Sequence, residues 1–171
     1  MKNINAVKCS LFAALICVCS CVAVPVGAVP VSLSLIAIIM TGLLMGVKCA
    51  LASTFVYILL GAFGLPVFSG FMGGINVLLG PTGGYIWSYL VVALFSGYAK
   101  NVRLKIILVP MIYFAVLVCY FFGTLQFSFV QNVSFTSAMT ICVYPFVLID
   151  ILKVFAAVYL SGMLSRRVNF N

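Results

Sequence analysis

Asp150 and Lys153 are charged residues set deep in an apolar run, PFVLIDILKVFAAVYL. Their spacing puts them on one helical face about one turn apart, acid first, the order that suits an i,i+3 ion pair. A charge at mid-membrane costs at least about 2.5–3.5 kcal/mol on insertion scales, and such residues face an interior cavity or a partner. Two uses stay open on spacing alone. The pair neutralises itself and staples a helix bundle, or it anchors a polar solute through charge-assisted hydrogen bonds. Other chemistry is poorly supplied. The chain has one acid and no histidine, which rules out a Ser/His/Asp or Cys/His set and an aspartyl dyad, and makes a poor proton relay. The glycines at 80–84 lack the Lys that a phosphate-binding loop requires. No enzymatic activity and no cofactor are expected.

Seven cysteines raise the question of a metal or a disulfide framework. Without histidine, and with a single carboxylate, they are a weak zinc set. Cys17, Cys19 and Cys21 alternate, so on a helix Cys19 points away from the other two. The cysteines read as small apolar residues packed inside helices, a common use of the free thiol.

The elements holding Asp150 and Lys153 belong to a membrane protein. Of 171 residues, 66% are hydrophobic and 6% charged, against about 25% charged in a soluble domain. The expectation is one integral membrane domain over 1–171, all-α, in contact with lipid. Nine Lys and Arg against one acid give a net charge of +8. They stand singly or in small groups between apolar runs, which suits orientation signals rather than a nucleic-acid surface, so no nucleic-acid partner is expected.

Six spans are predicted, at about 8–24, 32–47, 49–63, 82–99, 106–122 and 138–164. The first has signal-peptide features, with Lys2 and Lys8 ahead of an apolar run, but the chain behind it is itself membrane-spanning. Residues 31–63 contain Lys48 as their sole charge; one helix of that length would reach about 50 Å against a hydrocarbon core of roughly 30 Å. A turn at Gly46-Val47-Lys48 resolves the excess. Gly42 and Gly46 form a GxxxG pair suited to close helix contact. Lys100, Arg103 and Lys105 mark another turn, Pro25 and Pro30 bracket a short one, and 123–137 reads as a polar loop. With six spans, eight of the nine cations fall on one side, which the positive-inside rule makes cytoplasmic, together with both termini.

Between the third and fourth spans lies GAFGLPVFSGFMGGINVLLGPTGGY, residues 61–85, with eight of the 14 glycines and no charge. Gly and Pro at this density oppose a plain helix, and the apolar content opposes a hydrated linker. Irregular backbone of this kind is tolerated near membrane depth where protein buries it or where it lines a cavity. The segment is expected to be an extracellular binding loop.

Together, GLPVFSGFMGGINVLLGPTGGY (64–85), YFFGT (120–124) and PFVLIDILK (145–153) resemble the BioY family, the biotin-specific S components of energy-coupling-factor (ECF) transporters. The likeness runs from Val29-Pro30 to Lys153. It implies a six-helix fold in a bacterial cytoplasmic membrane that binds biotin from outside and docks on an ECF transmembrane coupling subunit driven by ATPase subunits. Two departures stand out: Ser34 replaces the usual Gln or Glu, and Ile149 replaces the Gly before the span-six Asp. The A-x-x-x-A docking pattern of span one is met only approximately, by Ser10, Ala14 and Val18 or by Ala13 and Cys17.

On that resemblance Asp150 would accept a ureido N–H, and Lys153 would donate to the ureido carbonyl or to the valerate carboxylate. Asn76, Tyr85 and Ser34 would add polar contacts, and Phe68 or Trp87 an apolar wall. The pairs Gly73-Gly74 and Gly83-Gly84 would permit close backbone approach to the ligand or tight turns. Tyr89 reads as lipid-facing. The rival functions are an S component for another vitamin and a structural membrane assembly protein.

Overall fold

A computed structural model of the chain describes residues 2–26, 29–102 and 104–167. Arg103, part of the predicted basic turn, lies outside them. The elements are α1 (Lys2–Cys21), β1 (Ala23–Val26), β2 (Val29–Ser32), α2 (Ser34–Met45), α3 (Val47–Ala62), α4 (Ile75–Leu79), α5 (Gly83–Ala99), α6 (Lys105–Gln131), α7 (Phe135–Cys142) and α8 (Tyr144–Arg167). Two helices, over Ile106–Gln131 and Tyr144–Arg167, are long and apolar enough to cross a membrane; Ala6–Cys21, Ser34–Met45 and Val47–Ala62 are shorter apolar helices.

The break between α2 and α3 falls at Gly46, whose φ of +82° suits a residue without Cβ. Its neighbour in the GxxxG pair has a packing role. Gly42 lies so close to Ser96 and Gly97 of α5 that a Cβ there would overlap them, which is the close approach such pairs favour. Helix α5 is the centre of the fold, packed against α6, α2 and α3, while α1 lies on α3 and α8 lies mainly on α2. The main core gathers Ile16, Ile38, Ile58, Val92, Ile112 and Val154 from six different helices.

Several boundaries differ from the expectation. The turn bracketed by Pro25 and Pro30 is an antiparallel ribbon that pairs Ala23 with Ser32 and Pro25 with Pro30. Helix α6 runs on to Gln131 instead of ending near 122. Thr124, Gln126 and Ser128 read as loop residues by composition, yet each finds a hydrogen-bond partner from a helical position. Asn132, at φ 53°, ends the helix in the left-handed conformation, with its N–H on the Ser128 carbonyl. The last predicted span is two helices. Ser134 caps α7 by accepting the Ser137 N–H at 3.3 Å. Pro145 then breaks the path at Val143, since its ring would collide with the Ile141 carbonyl in a continuous helix and it has no N–H to give.

Two cysteines also depart from the apolar reading: Cys9 of α1 and Cys49 of α3 form a disulfide, with Cα atoms 5.3 Å apart. Cys17, Cys19, Cys21, Cys119 and Cys142 are free thiols.

Candidate ligand-binding site

Helix α8 carries Asp150 and Lys153 into the protein, 8% and 9% exposed. The Lys153 ammonium lies 2.9 Å from Asp150 Oδ1. From α6, the Tyr120 hydroxyl donates to Asp150 Oδ2 at 2.6 Å, a length characteristic of a hydrogen bond to an ionised acceptor. Oδ1 faces the ammonium but has no further hydrogen-bond partner among the described residues. An ionised carboxylate oxygen accepts two bonds, so Asp150 retains acceptor capacity at a buried position.

A cavity of about 60 Å³ opens on this pair. Pro30 and Ser32 of β2, Leu35 of α2, Tyr85 and Tyr89 of α5, and Phe146 of α8 form much of its wall. Its polar side chains are held from behind. Ser34, fully buried, donates to the Tyr89 hydroxyl at 3.0 Å and shares a 2.6 Å bond with Ser32. Tyr85 shares a 3.3 Å bond with Thr124, and its ring lies where a Cβ on Gly123 would stand. Tyr120, Gly123 and Thr124 are i, i+3 and i+4 on one face of α6. One orients Asp150, one makes room for Tyr85, and one holds its hydroxyl.

A second chamber, about 250 Å³, is bounded by Phe68, Met72, Val77, Thr82 and Gln131, and it shares Pro30, Tyr85 and Tyr89 with the first. The two therefore lie in series, the narrow one on the charged pair and the wider one under the Gly-rich segment. Phe68 is locked in place, 1% exposed, with its ring edge-on to Tyr57 at 5.5 Å and pressed against Gly61.

The glycine pairs serve the loop and its packing. A Cβ on Gly73 would overlap the Leu65 carbonyl, and Gly74 adopts φ +100°. Gly83 and Gly84 let α5 approach Leu78 and Phe122, leaving space for Gln126. That side chain donates both amide hydrogens, to the Leu78 carbonyl at 2.9 Å and the Gly80 carbonyl at 2.8 Å, tying the segment to α6. Asn76 is exposed on α4 and lines neither chamber. Trp87, 44% exposed, lies in an outer groove between α5 and α6. Tyr89, expected against lipid, lines both chambers instead, because it falls one turn from Tyr85 while Trp87 points to the other side. Ser34 backs Tyr89. Tyr120 and Ser32 are residues that sequence reasoning passes over, while it assigns Tyr89 to lipid and Gln126 to a polar loop. Tyr120 stood inside the YFFGT block but had no visible partner thirty residues away.

A sequence profile of the BioY family matches residues 1–170. The probable biotin transporter BioY of Pyrococcus horikoshii is 36% identical over 156 residues, covering 91% of this chain and 92% of that protein. The biotin transporter BioY2 of Lactococcus lactis is 33% identical over 147 residues, covering 84% of this chain and 80% of its own. Among solved structures, the crystal structure of an S-component for biotin from an ECF-type ABC transporter superposes with a TM-score of 0.87 at 27% identity, covering 99% of this chain and 94% of that one.

Proposed function

The chain belongs to the BioY family, and from that membership we propose that it is the biotin-binding subunit of an ECF transporter, with Asp150 and Lys153 as its anchor. The observation that carries the site assignment is the buried pair on the narrow chamber, with acceptor capacity left on Asp150. Biotin offers two ureido N–H donors and a carbonyl on a compact bicyclic head, and a flexible acid tail. The head enters the narrow chamber, where Asp150 accepts an N–H and Lys153 donates to the carbonyl. Both side chains line the same small cavity, which favours the carbonyl over the distant carboxylate for Lys153. The tail extends into the wider chamber between Phe68, Met72 and Thr82.

In this reading α1, α2, α3, α5, α6 and α8 are the six spans of a bacterial cytoplasmic membrane protein, with the Gly-rich segment outside and the termini inside. Eight of the nine cations fall in the sequence segments that this topology assigns to the inside, which supports that orientation. For the coupling subunit, burial favours one face of α1. Ala13 and Cys17 are 3% and 9% exposed and face the core, whereas Ser10, Ala14 and Val18 lie on the open side.

The test is equilibrium binding of labelled biotin to the purified protein in detergent, beside Asp150→Asn and Lys153→Ala. Saturable binding by the parent, lost in both folded variants, is expected. Binding that survives both changes would move the anchor elsewhere, and no binding by a folded parent would refute the ligand.

A further inference from the structure

We propose that Tyr120 is a positioning residue that sets the Asp150 carboxylate in the orientation that selects N–H donors on the ligand. This rests on the reading of Asp150 as the ligand anchor. A carboxylate turns easily about its last torsion, whose well is broad and two-fold. Left to Lys153 alone, both oxygens could swing toward the ammonium. The Tyr120 hydroxyl prevents this by holding Oδ2 at 2.6 Å from across the α6–α8 boundary, so Oδ1 is the oxygen that meets the ammonium and keeps capacity to spare.

Specificity follows from proton accounting. The phenol has one hydrogen and donates it to Oδ2. The carboxylate it binds is an acceptor there, and the spare lone pair of Oδ1, which is buried until a ligand enters, is likewise an acceptor. A ligand carbonyl at that point would meet a negative oxygen without a hydrogen between them, whereas an N–H completes the bond. The adjacent acceptor on the ligand then falls to Lys153. The order of donor and acceptor along the ligand head is thus imposed by a residue on another helix.

The structure also provides a control. Tyr113, two turns earlier on α6, donates to the Ile151 carbonyl at 3.0 Å. It braces α6 against α8 at the residue next to Asp150, with its hydroxyl on the backbone and not on the carboxylate. It lines neither chamber, though it shares an outer apolar groove with Tyr120 and Asp150. If Tyr120 merely held the helices together, removing either hydroxyl would have a similar effect.

The experiment measures biotin affinity, and affinity for biotin methylated on a ureido nitrogen, for the parent, Tyr120→Phe, Tyr113→Phe, Asp150→Asn and Tyr120→Phe/Asp150→Asn. Tyr120→Phe is expected to weaken biotin about tenfold or more, the scale of a hydrogen bond to a charged group. It should also narrow the preference for biotin over the methylated compound. Tyr113→Phe should leave binding within about twofold of the parent. In the Asp150→Asn background the Tyr120 change should no longer carry its full penalty, because the negative carboxylate oxygen that it aims at the ligand N–H is gone, although the amide oxygen can still accept the phenol. Equal losses in the two single Tyr variants, or parent-like binding by Tyr120→Phe, would overturn the proposal. So would a Tyr120 penalty of full size in the Asp150→Asn background. Where that background binds too weakly to titrate, the comparison between Tyr120→Phe and Tyr113→Phe decides. Parent-like binding by Asp150→Asn itself would instead refute the anchor on which the proposal rests.

Discussion

Removing both charges of the Asp150–Lys153 pair should separate its contribution to stability from its contribution to binding. Each residue is about nine-tenths buried. Taking away one partner of a buried ion pair strands the other charge and costs about 3–5 kcal/mol, a large share of the about 5–15 kcal/mol that typically holds a domain together. Lys153→Met leaves a carboxylate with only the Tyr120 hydroxyl; Asp150→Asn leaves an ammonium with no counter-charge. The double variant Asp150→Asn/Lys153→Met has no charge to strand, and the new amide keeps an oxygen for Tyr120, so most of the lost stability should return. It should fall short of the parent by about 1–3 kcal/mol, for an amide N–H left without an acceptor beside the methionine. Binding should not return. Each lost charge-assisted bond to the ligand is worth about 1.5–3 kcal/mol, or roughly 10- to 150-fold in affinity, and the double variant loses both. Heating each protein in detergent while following the fluorescence of Trp87, the single tryptophan, gives the stabilities, and biotin titration gives the affinities. A double variant as unstable as the singles would refute the coupling argument. One that is stable and still binds tightly would make the pair a staple and nothing more.

Two further outcomes are expected. Gly123→Ala should drive a methyl group into the Tyr85 ring, costing about 1–3 kcal/mol by overpacking and weakening biotin binding; unchanged binding in the titration would remove Tyr85 from the site. Gln126→Leu removes a donor from both the Leu78 and Gly80 carbonyls; Gly80 keeps the Gly83 N–H, so the cost is about 1–3 kcal/mol for the Leu78 group left unsatisfied. Amide hydrogen exchange should quicken across residues 75–82 and biotin should dissociate faster, and an unchanged exchange pattern there would show that Gln126 is not the tether.

Local chemistry was readable wherever cause and effect lie close in the chain. The three-residue spacing of Asp150 and Lys153 announced their contact, and Gly46 beside Lys48 announced the α2–α3 break. What escaped depends on partners far along the chain. Tyr120 and Asp150 are thirty residues apart, and Gln126 acts on carbonyls at 78 and 80, so neither polar residue could be told from one in a loop. That ambiguity is why 123–131 read as a connection. The face of α5 posed a similar difficulty. Tyr85, Trp87 and Tyr89 are all amphipathic aromatics, and only the positions of α2 and α6 decide which of them meet the chamber. Gly83 and Gly84 signalled close approach correctly in kind, but what approaches is another helix and a glutamine. Cys9 and Cys49 stand forty residues apart, one on each of two helices whose contact no local pattern reveals.

The internal neutrality of the Asp150–Lys153 pair has a consequence for energetics in a polarised membrane. A charge crossing the full potential does electrical work of about 2.3 kcal/mol per 100 mV. Because opposite charges sit 2.9 Å apart on one helix, any motion of α8 carries both together, and their contributions to that work cancel. The floor of the site therefore adds no gating charge, and it requires no proton or counter-ion to remain neutral as the chamber fills and empties. On the proposed binding mode, the ligand's own carboxylate would be the net charge that this part of the protein moves through the field.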